Sequence, residues 1–387
     1  MPESTRLPLD RPDRFRPPPA YAELTERCPV AKVATPDGGE AWLITGYAAA
    51  KAVLADTRFG VTQPGNAGTD AHSPLGEGPR HQRFRRLVSG LLTARRIAGF
   101  QPRVVEIARR LVRDMLAQGR GVDLVAALAR PLPRTVICEL LGIEIEDDEQ
   151  FHTWVESSVA LVVPPDDPEA VARYVASAQE LWEFMTAAVE KRYREPDDGL
   201  LSAIIHGERE ITADEVVLTG ITVLITGYIT TANALSVGIV DLARSHGFAA
   251  LSTTADLDRT TEEVLRRQSG PGNEALPRWA SEDIDLDGTS IRAQDLVLVS
   301  LEAANHDPGQ FAGPDEFELT RRTNSHLAFG YGRHHCLGAG LARIELRAAI
   351  QELAAQCPTL TIAEPLSEIQ WTGHHFEDGP AVIHVTW

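Results

Sequence analysis

Apolar residues recur at three-and-four spacing through "FRRLVSGLL", "VVEIARRLVRDMLAQ", "PRTVICELLGI", "DEQFHTWVESSVALVV", "AVARYVASAQELWEFMTAAVEKRYRE" and "LARIELRAAIQELAAQ". That period lines up one face of a helix, so each stretch predicts a helix buried along one side. Period-two alternation is scarce. "EAWLITG" near the N-terminus, "DIDLDGTSIRAQDLVLVSL" after Ser281 and "AVIHVTW" at the C-terminus predict strands, with Asp287 and Gly288 marking a turn. The pattern predicts a mainly α protein, a helical body with small β-sheets at its edge. No internal repeat and no linker rich in Gly, Ser or Pro interrupts it. Residues 1–387 are therefore expected to form one domain, with small N-terminal and C-terminal β regions packed on one helical body.

One predicted helix differs from the rest. From Ala213 to about Ser245 the chain is apolar nearly all round, which predicts a helix through the centre of the body. Its length would admit a membrane span, but its repeated Thr and Gly and its isolated position argue against one. Thr219, Thr222, Thr226 and Thr230 fall on one stripe of this helix, and Asn233 continues it. Buried threonines bond back to the carbonyl four residues earlier. The other reading is a hydroxyl stripe beside Gly227 that lines a pocket.

Composition bounds the function. With 387 residues, 43% hydrophobic and 24% charged, the chain can bury a substantial core. The N-terminus has no basic stretch followed by an apolar run, so neither a signal peptide nor a membrane anchor is expected, and the expected location is cytoplasmic. A net charge of -18 argues against nucleic acid as a partner. The charge is uneven: ten arginines stand between Arg80 and Arg113 against the single acid Glu106. They read either as solvated helix faces or as a surface for an acidic partner or an anionic ligand.

The cysteines narrow the chemistry. Cys28, Cys138, Cys336 and Cys357 are scattered without Cys-x-x-Cys spacing, against a disulfide framework or a zinc ribbon. Cys336 stands in "FGYGRHHCLG", Phe329 to Gly338, just before helical periodicity resumes. A sulfur near a helix N-terminus meets unpaired N–H groups and a dipole that favour its thiolate. Gly330, Gly332 and Gly338 let backbone, or something flat and bulky, come close. A thiolate held this way suits an axial position on haem iron. A buried structural cysteine and a zinc site with His334 and His335 are the alternatives, although adjacent His-His-Cys residues point poorly at one tetrahedral centre.

"FGYGRHHCLG" matches Phe-Gly-x-Gly-x-(Arg/His)-x-Cys-x-Gly at every defined position, and through nearly its whole length the chain resembles the soluble bacterial cytochromes P-450. The resemblance implies the fold of that family, with the long central helix over the cofactor, and haem b ligated by Cys336. It implies that Phe329 packs beside the sulfur, that Gly330 and Gly338 adjoin the cofactor, and that His334 reaches a haem propionate. "EEVLR" supplies a Glu-x-x-Arg pair, Glu263 and Arg266, and "PDEFELTRR" supplies Arg321 to complete the family's structural triad. "HQRFRRL" is similar to the helix crossing one haem edge, which makes His81 and Arg85 propionate partners, and Arg278 in "LPRWA" resembles the third cationic group. The implied partners are ferredoxin and ferredoxin reductase, with an acidic ferredoxin docking on the face nearest the cysteine, where the remaining arginines would suit it. The implied substrate is a small molecule of an aromatic or peptide-like kind. Tyr228, Ile229, Leu276, His375 and Phe376 resemble pocket positions.

The chain also departs from the pattern. Where the family reads (Ala/Gly)-Gly-x-(Asp/Glu)-Thr, this chain reads Thr226-Gly227-Tyr228-Ile229-Thr230, so the alcohol is kept and the acid is missing. Thr230, with Thr226, is the implied catalytic pair, with water ordered by the two threonines, or a group on the substrate, in place of the missing acid. The stretch from Phe59 to His81 is short for the family and rich in Gly, and "SGPGNEALPR" is longer and more polar, placing Asn273 and Glu274 near the pocket. The expected function is a monooxygenase acting on a natural-product intermediate with dioxygen and ferredoxin electrons. The alternative keeps the haem-thiolate chemistry but ends in coupling, ring closure, dehydrogenation or nitration, and Ile229 weighs toward it. A non-enzymatic haem sensor is least favoured, because Thr230 and the basic segment would then have no use.

Overall fold

The computed structural model describes residues 5–63, 75–160, 167–207, 211–245, 247–251, 254–267, 275–322, 324–372 and 378–387. The principal helices are α1 (Pro19–Arg27), α2 (Tyr47–Ala55), α3 (Pro79–Leu91), α4 (Ala94–Ala117), α5 (Pro131–Leu141) and α6 (Asp148–Ala160). They continue with α7 (Pro168–Arg194), α8 (Leu200–Gly207), α9 (Ala213–Arg244), α10 (Thr254–Arg267), α11 (Leu301–Asn305) and α12 (Ala339–Gln356). Among the described residues, every stretch with helical period falls in one of them to within two residues. Helix α4 begins well before its periodic part, because the Thr93 hydroxyl accepts the Arg96 N–H at 3.3 Å and caps the start. The Ala-rich α2 carries too weak an alternation of polar and apolar residues to be read from period alone.

The described residues group into two compact units. The first comprises residues 1–82, 237–339 and 365–368. Its sheet joins β1 (Val30–Ala34), β2 (Glu40–Ile44), β3 (Phe59–Gly60), β5 (Leu276–Ala280) and β8 (Leu296–Val299) in the order β1-β2-β8-β5-β3. Only β2 and β8 run parallel. Ile44, Val53, Phe59, Ala280, Val297 and Val299 form its core together with Leu327, two residues before the cysteine loop. A hairpin of β6 (Ile284–Leu286) and β7 (Thr289–Ile291) turns at Asp287 and Gly288, whose φ values of 51° and 81° match the turn the Asp-Gly pair predicted.

A buried ionic network ties this unit together. Glu263 and Arg266, one turn apart on α10, have fully buried side chains and pair at 2.9 Å, and Arg321 Nε donates to the same carboxylate at 3.0 Å. Arg266 also donates to the Asn305 carbonyl at 2.7 Å, and the Asn305 side-chain oxygen accepts the Leu327 N–H at 2.7 Å. Burial alone would push the Glu263 carboxyl up; the bonds and charge of Arg266 reverse this and hold it below the usual range. The family's structural triad is thus formed, and it anchors the chain two residues upstream of Phe329.

The second unit comprises residues 83–236, 340–364 and 369–387, with a small sheet ordered β4 (Val122–Asp123), β10 (His384–Thr386) and β9 (Thr361–Ile362). Helix α9 runs from this unit into the first. Among the described residues it is the one helix long and apolar enough to cross a membrane, and 61% of its most apolar window is buried in the protein itself. Gly227 permits close packing there: a Cβ would stand 2.9 Å from Ile137 Cδ1.

Several arginines of the basic segment are engaged inside this unit. Arg83 pairs with Glu215 at 3.1 Å, Arg103 with Glu139 at 2.7 Å and Glu106 at 2.8 Å, and Arg109 with Glu352 at 3.2 Å. Arg96 donates to the Asp198 carbonyl at 2.6 Å. Arg80, Arg86, Arg95 and Arg110 are exposed.

Candidate functional site

The cysteine loop is built by backbone. The Cys336 N–H donates to the Phe329 carbonyl at 2.9 Å and the His335 N–H to the Gly332 carbonyl at 3.1 Å, closing a tight curl with one turn of 3-10 helix at Gly332–His334. Gly330 and Gly332 have φ of 68° and 72°, and a Cβ on Gly332 would lie 2.4 Å from the Leu54 carbonyl oxygen, so that position excludes any side chain. Cys336 is exposed and α12 begins three residues later, at Ala339. A Cβ on Gly338 would stand 3.8 Å from the sulfur.

The two histidines before the cysteine part company. The His334 ring stacks on His81, centroids 4.3 Å apart and 9° from parallel, and its Nε2 lies 3.2 Å from Glu77 Oε1. The His335 ring instead lies 6.4 Å from that of Phe329. Among the described residues the cluster compact enough to share a metal ion is Glu77, His81 and His334, with ligating atoms within 4.8 Å of one another, and Cys336 is not in it. The zinc alternative at the cysteine has no support here.

Arg278 belongs to the same unit. It is 6% exposed on β5, and its Nη1 donates to the Pro277 carbonyl at 2.7 Å. Burial pulls its guanidinium down to about 10, against the attraction of Glu77. Leu276, two residues earlier, shares its face of the strand and is half-buried. His81 sits in the first turn of α3 and half-buried Arg85 one turn on.

On α9, each threonine of the stripe donates to the carbonyl four residues before it: Thr219 to Glu215 at 2.7 Å, Thr222 to Leu218 at 2.8 Å, Thr226 to Thr222 at 2.7 Å and Thr230 to Thr226 at 2.9 Å. The back-bonded reading holds for all four, and Thr226 and Thr230 are nonetheless exposed. Their oxygens retain acceptor capacity. Ile229 is half-buried.

Tyr228, expected at the pocket, is 3% exposed and turned to α6: its hydroxyl lies 3.0 Å from His152 Nδ1 and its ring meets Phe151 edge-on at 4.7 Å. Burial raises the phenol far above its usual value. His375, Phe376, Asn273 and Glu274 lie outside the described residues.

Sequence reading missed Glu77, Arg333 and His152. Nothing in local spacing marks Glu77 or His152; Arg333 stood beside His334, but no pattern assigned it a partner.

Comparison with known proteins agrees with the loop. Residues 38–249 and 256–355 match the family model described as Cytochrome P450. The chain is 37% identical to the cytochrome P450 monooxygenase PikC of Streptomyces venezuelae, covering 95% of this chain and 90% of that one. It is 35% identical to the nocardicin C N-oxygenase of Nocardia uniformis subsp. tsuyamanensis, covering 95% of both. The crystal structure of SgvP, a putative thioether synthase in the tailoring of griseoviridin, superposes with a TM-score of 0.89 at 35% identity over 100% of both chains. With its cysteine loop, its buried Glu-Arg-Arg network and these relatives, the chain belongs to the cytochrome P450 family of haem-thiolate monooxygenases.

Proposed function

We propose that this chain is a haem b monooxygenase that oxidises a small natural-product intermediate, with electrons from a ferredoxin and its reductase in the cytoplasm. One observation carries the reading: an exposed Cys336, held by a loop that turns through the left-handed Gly330 and Gly332, two residues beyond the His334 that stacks on His81, with Arg278 buried in the same unit. The donor set suits haem. A desolvated, planar guanidinium and two imidazoles match carboxylates, and a thiolate matches the iron.

In this reading Cys336 ligates the iron, and Arg278, His81, His334 and Arg85 take the propionates. Phe329, Gly330 and Gly338 adjoin the ring. The bound haem supplies the oxidising chemistry, for which electron donation by the thiolate favours O–O cleavage. Thr230 and Thr226 accept from, and thereby order, water on the exposed stripe of α9. Ile229 and Leu276 are substrate positions in this reading, and His375 and Phe376, outside the described residues, are added to them by the resemblance alone. The test is the spectrum of the reduced carbon monoxide complex: wild type should show the thiolate type and one haem b per chain, and Cys336→Ser should lose that spectrum. A thiolate-type spectrum retained in the variant overturns the assignment.

A second reading, in which the product is something other than a simple alcohol, is favoured by Ile229 at the position of the acid. Relatives named as an N-oxygenase and as a putative thioether synthase lend it weight.

A further inference from the structure

Three side chains proposed for the haem carboxylates already share an anion of the protein's own. Glu77 Oε1 lies 3.2 Å from His334 Nε2, accepts from Arg333 Nη2 at 3.0 Å, and accepts the Val61 N–H at 3.1 Å. An ionised carboxylate only accepts, so the facing His334 nitrogen carries its proton. His81 closes the group from the other side, stacked on His334. The buried Arg278 guanidinium is attracted by the same charge.

Burial pushes the Glu77 carboxyl up, but the His334 and Val61 bonds and the Arg333 charge outweigh it and bring it down to about 2. The carboxylate is therefore ionised at any working pH. Arg333 is itself held in place, donating to the Phe59 carbonyl at 3.1 Å, so the anion and its cations form a fixed arrangement.

We infer that Glu77 is a positioning residue that divides His334 between itself and the haem carboxylates and so holds the reduction potential of the bound iron down. The inference rests on the reading that His81, Arg278 and His334 take those carboxylates. Two effects act in one direction. A fixed negative charge opposes the arrival of an electron nearby, since like charges repel more strongly in a partly buried setting than in water. Glu77 also occupies the His334 Nε2 donor, which would otherwise be free for a propionate.

The experiment is a spectroelectrochemical titration of the haem-loaded protein at pH 6 and pH 8. Glu77→Gln should raise the potential by the same amount at both, because the carboxylate it removes titrates far below either. Glu77→Asp should stay near wild type. Arg333→Gln should shift the potential the opposite way, whereas general damage to the site would move both variants alike. Haem content should hold in Glu77→Gln, because removing a rival anion eases propionate binding.

An unmoved or lowered potential in Glu77→Gln overturns the inference, and so does loss of its haem. Reduced haem retention in Arg278→Ala beside an unmoved potential in Glu77→Gln would strike the inference alone. Full haem retention in both Arg278→Ala and His334→Ala would remove the carboxylate assignment and the inference with it.

Discussion

The imidazole rings of His81 and His334 lie face to face, 4.3 Å between centroids and 9° from parallel. One comes from the first turn of α3 and the other from the turn just before Cys336, so the stack joins the cysteine loop to the helix that also bears Arg85. Two flat groups so placed present neighbouring ring nitrogens, an arrangement suited to the two oxygens of a carboxylate.

Arg278→Ala should lower haem retention. Removing one partner of a buried charge pair costs about 3 to 5 kcal/mol. Arg278→Lys should recover part of the loss, because an ammonium keeps the charge without the planar fork. Transfer of haem to apomyoglobin measures it, and equal transfer rates in wild type and Arg278→Ala would contradict the role.

Glu263→Gln should destabilise the protein by about 3 to 5 kcal/mol, because Arg266 and Arg321 are left as buried charges. The pH sense follows from a carboxyl held below its ordinary value of 4.5. Its stabilisation is fully present above that value and is lost as pH falls toward the folded-state value. Denaturant unfolding of wild type and variant should therefore differ most near neutrality and converge in acid; a gap that widens in acid would reverse the sign.

The proton supply beside Thr230 can be tested by coupling, the product formed per nicotinamide consumed. If the substrate or water ordered on the stripe replaces the missing acid, Thr230→Ala should reduce coupling only modestly and Ile229→Asp should not raise it. A severe loss in the first together with a clear gain in the second would mark a weakened ordinary relay. Haem content is measured beforehand, so that a loss of cofactor is not read as a loss of coupling.

Reduction by an acidic ferredoxin should slow as salt rises, since charge steering is screened beyond about 10 Å at 0.1 M ionic strength. The exposed Arg86 and Arg95 are the positions to reverse. Arg96, Arg103 and Arg109 make poorer probes, because their bonds within the protein would confound the result. A rate indifferent to both salt and Arg86→Glu/Arg95→Glu would exclude docking there.

The sequence by itself determined what depends on near neighbours in the chain. Three-and-four spacing marked the long helices, Asp287-Gly288 marked its hairpin through left-handed φ, and Glu263 and Arg266 fell one turn apart on α10. The cysteine loop was legible for the same reason: Gly330 and Gly332 are demanded by backbone within the loop and against Leu54. Only the tertiary structure decided which distant groups meet. Pro277 lacks the N–H a strand interior uses, so nothing local announced β5, and its register against β8 is what buries Arg278. Period cannot tell a helix side chain facing a pocket from one facing another helix, and the approach of α6 turned Tyr228 to His152. The same holds for charge. The arginines between Arg80 and Arg113 looked alike in sequence, but Glu139, Glu215 and Glu352 engage three of them through contacts no spacing rule encodes, and Glu77 reached His334 by such a long-range approach.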